Sequence, residues 1–254
     1  IADHYAYPEQ GSGAVKITPA HDFNDFEVGK RNNLEIINIF EKNGKINNRG
    51  IKEFIGLDRF EARKLLVKKL KDNGSLVKIE TIKNKVPYGD RSSTIIEPLL
   101  TEQWFVDAKK LSKKPIKIVN EGSTSFFPNN WTKIFFQWMK NIEPWCISRQ
   151  IWWGHRIPAW YDDNGNIFVA ENEKDAVSLA NKKNKKKEFK LRQETDVLDT
   201  WFSSALWPFV TLGWPNKSKE LLKFYPTSVL VTGFDIIFFW VARMMMMGNY
   251  FNKN

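Results

Sequence analysis

The chain has 254 residues, of which 42% are hydrophobic, 27% charged and 14% aromatic. This is the composition of a folded globular protein with a sizeable core, not of a disordered or fibrous one. A single cysteine, Cys146, excludes a disulfide framework and a cysteine-cluster zinc site, and three histidines leave little material for a His-based metal centre. No membrane span is expected, because the most apolar run, residues 236–248 (IIFFWVARMMMMG), is too short for a bilayer and contains Arg243.

Two parts differ in composition. All eleven tryptophans lie at or beyond Trp104. Residues 1–103 carry 17 basic and 15 acidic side chains, net +2, whereas the remainder carries 22 and 14, net +8. A boundary near Gln103 with a separate core on each side follows. Much of the basic excess falls in residues 174–192, with eight basic and two acidic side chains. That run reads either as a solvated face or as a phosphate contact. The chain opens on Ile1 rather than Met, so no signal peptide can be read, and it is expected to be an internal fragment.

In chain order, residues 14–18 (AVKIT) alternate like a strand and residues 34–40 (LEIINIF) read as a second. Asn43-Gly44 marks a tight turn after them. A helix is predicted over 58–73, with Asp58 and Glu61 as a capping box, Ala62, Leu65, Leu66 and Leu70 as its apolar stripe and Gly74 as its stop. Residues 131–140 have helical spacing, and residues 159–169 predict a hairpin around Asn164-Gly165. Residues 228–232 (SVLVT) form a continuous apolar run that passes through Gly233 into a helix over 236–247. That pattern predicts a parallel α/β sheet with ligands at the strand ends. Met244 to Met247 read as core filler.

Four polar or aromatic clusters stand out. In residues 18–25 (TPAHDFND), Asp22 and Asp25 share one face of a helix start. They are either a cap with its partner or a pair of acceptors for an ammonium or hydroxyl group, with Lys16 and Thr18 adding a cation and a hydroxyl. In residues 145–160 (WCISRQIWWGHRIPAW), the tandem Trp152-Trp153 beside Gly154 is either core or the wall of a small apolar pocket. Residues 196–208 (DVLDTWFSSALWP) form the third cluster. In residues 232–240 (TGFDIIFFW), Gly233 allows close ligand approach, and Asp235 is either a helix cap or an acceptor for ribose hydroxyls. There is no GxGxxG, P-loop or Gly-x-Ser-x-Gly elbow.

Five segments in this order (AVKITPAHDFNDFEVG, GDRSSTIIEPLLTEQWF, WCISRQIWWGHRIPAWY, DVLDTWFSSALWP and PTSVLVTGFDIIFFWVARMMMMG) closely resemble the valyl-tRNA synthetase family of bacterial type. Isoleucyl relatives carry a Gln-x-Arg-Gly-Trp-Phe run after the aspartate matching Asp235, and this chain does not. The resemblance implies an α/β fold: part of a class I Rossmann catalytic domain over 104–254, with a small insertion at about 161–195, and the later part of an inserted α/β editing domain over 1–103. It implies a cytoplasmic, monomeric parent enzyme that joins valine to ATP, with Mg2+ balancing charge, and transfers valine to tRNA(Val). It implies no tightly bound cofactor and no structural metal.

Editing of mischarged threonyl-tRNA is implied as well. An apolar pocket rejects a hydroxyl isostere by only about a hundredfold, as is known for valine-specific synthetases themselves. By resemblance, Lys16, Thr18, Asp22 and Asp25 match the editing pocket. Trp153 and Trp240 match the walls of the valine pocket, and Thr232, Gly233 and Asp235 match the segment along the adenylate, with Asp235 on the ribose. The His-Ile-Gly-His and Lys-Met-Ser-Lys-Ser motifs of the family are absent and are expected upstream and downstream, so this chain alone is expected not to activate valine. The alternative is a stand-alone tRNA-binding or trans-editing module.

Overall fold

A computed structural model describes residues 1–184 and 190–252. The chain divides into two compact units, Ile1–Glu102 and Gln103–Asn254.

The smaller unit is built on two helices. Helix α1 (Phe23–Arg31) is capped by Asp22, whose carboxylate accepts from the N–H groups of Asn24 and Asp25. The side chain of Gly29 is a hydrogen for a packing reason: a Cβ there would lie 2.6 Å from Pro19 Cγ, so the helix can rest directly on the Thr18–Ala20 segment. Helix α2 (Arg59–Asp72) starts at Asp58, which accepts from Phe60 N–H rather than from Glu61, and stops before Gly74 at φ +74°. A satellite core of Ile46, Phe54 and Ala62, joined by Ile39, Phe40, Leu57 and Leu65, lies beneath α2.

The turn at Asn43-Gly44 forms as expected. Gly44 adopts φ +77°, and Glu41 N–H donates to Lys45 O at 2.8 Å. The two strands expected over 14–18 and 34–40 do not form. Both segments lack a ladder, and the nearby pairing is limited to isolated bridges such as Phe40 with Ile46. An alternating pattern supplies a face to bury but not the neighbouring backbone that a strand requires.

The larger unit mixes short strands with helices. Its elements are β1 (Phe105–Val106), α3 (Ala108–Asn120), α4 (Asn130–Lys140), β2 (Trp145–Cys146), β3 (Ser148–Arg149), β4 (Ala159–Tyr161), β5 (Ile167–Val169), α5 (Glu173–Asn184), β6 (Arg192–Gln193), β7 (Val197–Leu198), α6 (Thr200–Val210), α7 (Lys219–Phe224) and α8 (Arg243–Phe251). Every pairing among them is antiparallel: β1 with β2, β3 with β7, and β5-β4-β6. The hairpin expected over 159–169 is β4–β5, with Trp160 opposite Phe168, and its apolar face packs on Ala176 and Ala180 of α5. Tyr161 of β4 donates to Glu194, and burial together with that bond pushes its phenol up to about 12. Of the basic run over 174–192, residues 185–189 lie outside the described residues.

The main core gathers Phe135 and Met139 of α4, Ala205 and Phe209 of α6, and Met246 and Met247 of α8 around Trp145 and Ile147. The methionine run thus fills the core, as expected. The parallel strand expected over 228–232 is absent among the described residues. That segment forms no ladder, with Val229 and Val231 largely exposed. The single helix expected after it is three successive coils: a 3-10 turn (Phe234–Ile236), a π-helical stretch (Ile237–Ala242) and α8. Among the described residues no helix is long and apolar enough to cross a membrane.

Phe209 is wholly buried between Trp214, Tyr225 and Phe251. Phe209→Ala is expected to destabilise the larger unit by about 3–5 kcal/mol. The measurement is the denaturant midpoint followed by tryptophan fluorescence, because this unit holds every tryptophan of the chain.

Candidate functional sites

The smaller unit places three of its four expected residues in one hydrogen-bonded chain. Lys16 Nζ donates to Thr18 Oγ1 at 3.1 Å, and Thr18 Oγ1 donates to Asp25 Oδ2 at 3.0 Å. Thr18 N–H donates to the same carboxylate oxygen at 2.7 Å. Asp25 is 7% exposed, so its charge is held in place by these bonds. The fourth residue, Asp22, is exposed and acts as the α1 cap through Oδ1, at 2.9 and 3.0 Å. The capping reading therefore holds for Asp22, while Asp25 does not complete a capping pair but ties the helix to Thr18. Each carboxylate uses one oxygen for the fold. Asp22 Oδ2 and Asp25 Oδ1 accept no hydrogen bond among the described residues.

His21 props this site from behind. Its Nε2 accepts from Ile39 N–H at 3.1 Å while Nδ1 donates to Pro98 O at 3.2 Å, which fixes the tautomer. The ring also packs 4.6 Å from Phe40.

The larger unit holds a cavity of about 400 Å³ lined by Trp201, Ser204, Trp207, Ile236 and Trp240. The volume falls in the range of small-molecule sites, and the walls are aromatic and aliphatic. Helix α6 supplies Trp201, Ser204 and Trp207 at three-residue spacing, and the 3-10 and π-helical turns supply Ile236 and Trp240. The indole N–H of Trp240 donates to Ser204 O at 3.0 Å, and its ring lies 5.9 Å from that of Trp207. Trp153, expected as the second wall, does not line this cavity. It is 91% exposed on the loop between β3 and β4. Local sequence patterns do not mark Trp201, Ser204, Trp207 and Ile236 as site residues, although the three-residue spacing of the first three on α6 carries a signal.

The same unit contains a buried ion pair. Asp199, 5% exposed at the start of α6, accepts from Trp145 Nε1 at 2.8 Å. Arg243, at the start of α8, approaches Asp199 at 3.4 Å and stacks 4.2 Å over the Trp145 ring. Arg149 approaches the other carboxylate oxygen at 3.3 Å. Burial holds the Arg243 guanidinium below its usual range; Asp199 opposes that shift, and the charge of Arg149 adds to it.

Residues 232–235 lie beside the cavity wall. Thr232 Oγ1 is buried without a hydrogen-bond partner, a cost of about 1–3 kcal/mol that a ligand group could remove. A Cβ on Gly233 would lie 2.5 Å from Asp235 Oδ1, so glycine lets that carboxylate fold back along the chain. Asp235 itself is exposed and does not cap the turn; Gly233 occupies the cap position. Among the described residues no group of three or more His, Cys, Asp or Glu side chains is placed to hold a metal ion.

Asp199→Ala is expected to cost about 3–5 kcal/mol, because it strands Arg243 as an uncompensated buried charge. Asp199→Asn, which keeps the acceptor for Trp145, is expected to cost less. Thermal and denaturant unfolding of the two variants side by side measures the difference.

Known proteins resemble this chain over nearly its whole length. Valine–tRNA ligase of Pelagibacter ubique is 68% identical over 251 residues, 99% of this chain and 29% of the relative. That of Caulobacter vibrioides is 59% identical over 251 residues, covering 99% and 28%. That of Legionella pneumophila is 60% identical over 248 residues, covering 98% and 27%. The chain thus spans under a third of the length of these relatives. A family profile described as tRNA synthetases class I (I, L, M and V) matches residues 21–254. Over nearly its whole length, then, this chain belongs to the class I tRNA synthetases.

Proposed function

We propose that the protein containing this chain is a valine–tRNA ligase that activates valine with ATP, transfers it to tRNA(Val) and hydrolyses threonine joined to that tRNA by mistake. The observation that carries this reading is the tryptophan-walled cavity at Trp240. Its walls offer dispersion contacts and no charge, which suits a branched aliphatic side chain and selects by size. The similarity of nearly the whole chain to valine–tRNA ligases supports the choice of amino acid. The walls assigned to valine are Trp240, Trp201 and Ile236. Trp153, exposed and away from the cavity lining, is left out of the pocket.

In activation, a valine carboxylate oxygen attacks the α-phosphorus of ATP. A P–O bond forms there, the bond to the β-phosphate bridge breaks, and pyrophosphate leaves. Magnesium arrives with the nucleotide and neutralises phosphate charge. The residues of this chain position the reactants and do no covalent chemistry. Thr232 offers its unpartnered hydroxyl to the adenylate, Gly233 allows close backbone approach, and the exposed Asp235 carboxylate accepts from ribose hydroxyls. In editing, the free oxygens of Asp22 and Asp25 accept from the ammonium and hydroxyl of threonine. Lys16 steadies the tRNA 3′ end or polarises the ester, and water is the nucleophile. The reading extends to a cytoplasmic monomer.

Two measurements on the full-length protein test the reading. Pyrophosphate exchange into ATP is expected with valine and not with isoleucine; the reverse preference would remove the assignment of the cavity. Asp25→Ala is expected to leave threonyl-tRNA uncleared while valine activation stays within about twofold, since the change lies in the other unit. Normal clearance by that variant would take Asp25 out of the editing site.

A further inference from the structure

Trp240 is held by a carbonyl that an unbroken α-helix would not have free. In an α-helix the C=O of residue 204 accepts from the N–H of residue 208. Residue 208 is a proline inside α6 and has no N–H to give. Ser204 O is therefore relieved of its partner within the helix, and it is this oxygen that accepts the indole N–H of Trp240 at 3.0 Å. A half-buried carbonyl without a donor still carries a cost, and the bond satisfies both partners at once. The Ser204 hydroxyl does not compete, because it donates to Thr200 O at 2.8 Å.

We propose that Pro208 is a specificity-positioning residue of the amino-acid pocket. By withholding its N–H it reserves Ser204 O for Trp240, and it thereby fixes the angle of the ring that walls the cavity. The proposal rests on the reading of that cavity as the amino-acid site. Pro208 itself does not line the cavity and acts only through Ser204 and Trp240. Without this tether, the ring of a residue in a π-helical turn would be steered by packing alone against Trp207.

The test is Pro208→Ala in the full-length protein. Alanine restores an N–H that competes for Ser204 O and favours the helix. The expected result is a valine KM in pyrophosphate exchange raised about three- to tenfold, the size of one lost hydrogen bond. The KM for ATP and kcat are expected to stay within about twofold. In a Trp240→Phe background, which has no indole N–H to lose, Pro208→Ala is expected to add nothing to the valine KM. The indole N–H resonance of Trp240, identified by its loss in Trp240→Phe, is expected to move on Pro208→Ala.

An unchanged valine KM, an equal KM effect in both backgrounds, or an unmoved indole resonance would each overturn the proposal. Should Pro208→Ala not fold, the wild-type resonance decides: an indole N–H that exchanges freely with solvent overturns the proposal, and a protected one supports it. Lack of valine-dependent exchange in the wild type would instead sink the cavity assignment. The indole measurement, which needs no substrate, still judges the tether.

Discussion

The larger unit is organised around one buried carboxylate. Asp199 sits where β7 ends and α6 begins, and three groups from elsewhere in the unit converge on it: the Trp145 indole, Arg149 and Arg243. A carboxylate without partners at that depth would be costly. Here two guanidinium groups and an indole N–H keep the charge satisfied. The pair is weak evidence for stability in itself, since desolvation offsets most of the Coulombic gain. Its effect is geometric: it joins the first residue before α6 to the first residue of α8. Helix α6 carries Trp201, Ser204 and Trp207, and the 3-10 and π-helical turns that lead into α8 carry Ile236 and Trp240.

The two candidate sites use opposite chemistry. The cavity of the larger unit is walled by rings and an isoleucine, and its nearest polar atoms are already engaged, Ser204 with Thr200 and Trp240 with Ser204. Such a surface discriminates by volume. The site of the smaller unit is built from Lys16, Thr18, Asp22 and Asp25, with half of each carboxylate left for another partner. Such a surface discriminates by hydrogen bonding. A volume filter passes an isostere that a hydrogen-bonding filter can retain, and the pairing of the two suits the proposed ligase with editing. Support for each site comes from the backbone: Gly29 brings α1 onto Pro19, and Pro208 frees the carbonyl that holds Trp240.

Features set by neighbouring residues are legible in the sequence, and those set by distant ones are not. Asp58 and Gly74 bracket α2, Gly44 turns as its dipeptide predicts, and the hairpin over 159–169 pairs in the expected region. Each depends on residues within a few positions of one another. The segments over 14–18, 34–40 and 228–232 carry strand-like patterns and yet have no ladder, because a ladder needs a second backbone that pattern alone does not supply. The π-helical turn over 237–242 is likewise not legible in the sequence, since its residues fit an ordinary apolar helix.

The sequence by itself determined the family, the division in composition near Gln103, the local caps and turns, and the residue types from which both sites are made. Those follow from side-chain identity and short-range spacing. Only the tertiary structure decided that Trp201, Trp207 and Ile236, and not Trp153, share a cavity with Trp240. It alone decided that Asp25 binds Thr18 while Asp22 caps a helix. The physical reason is that a wall or a hydrogen bond between residues far apart in the chain is set by how helices dock, and docking is a sum of many weak contacts that no single segment records.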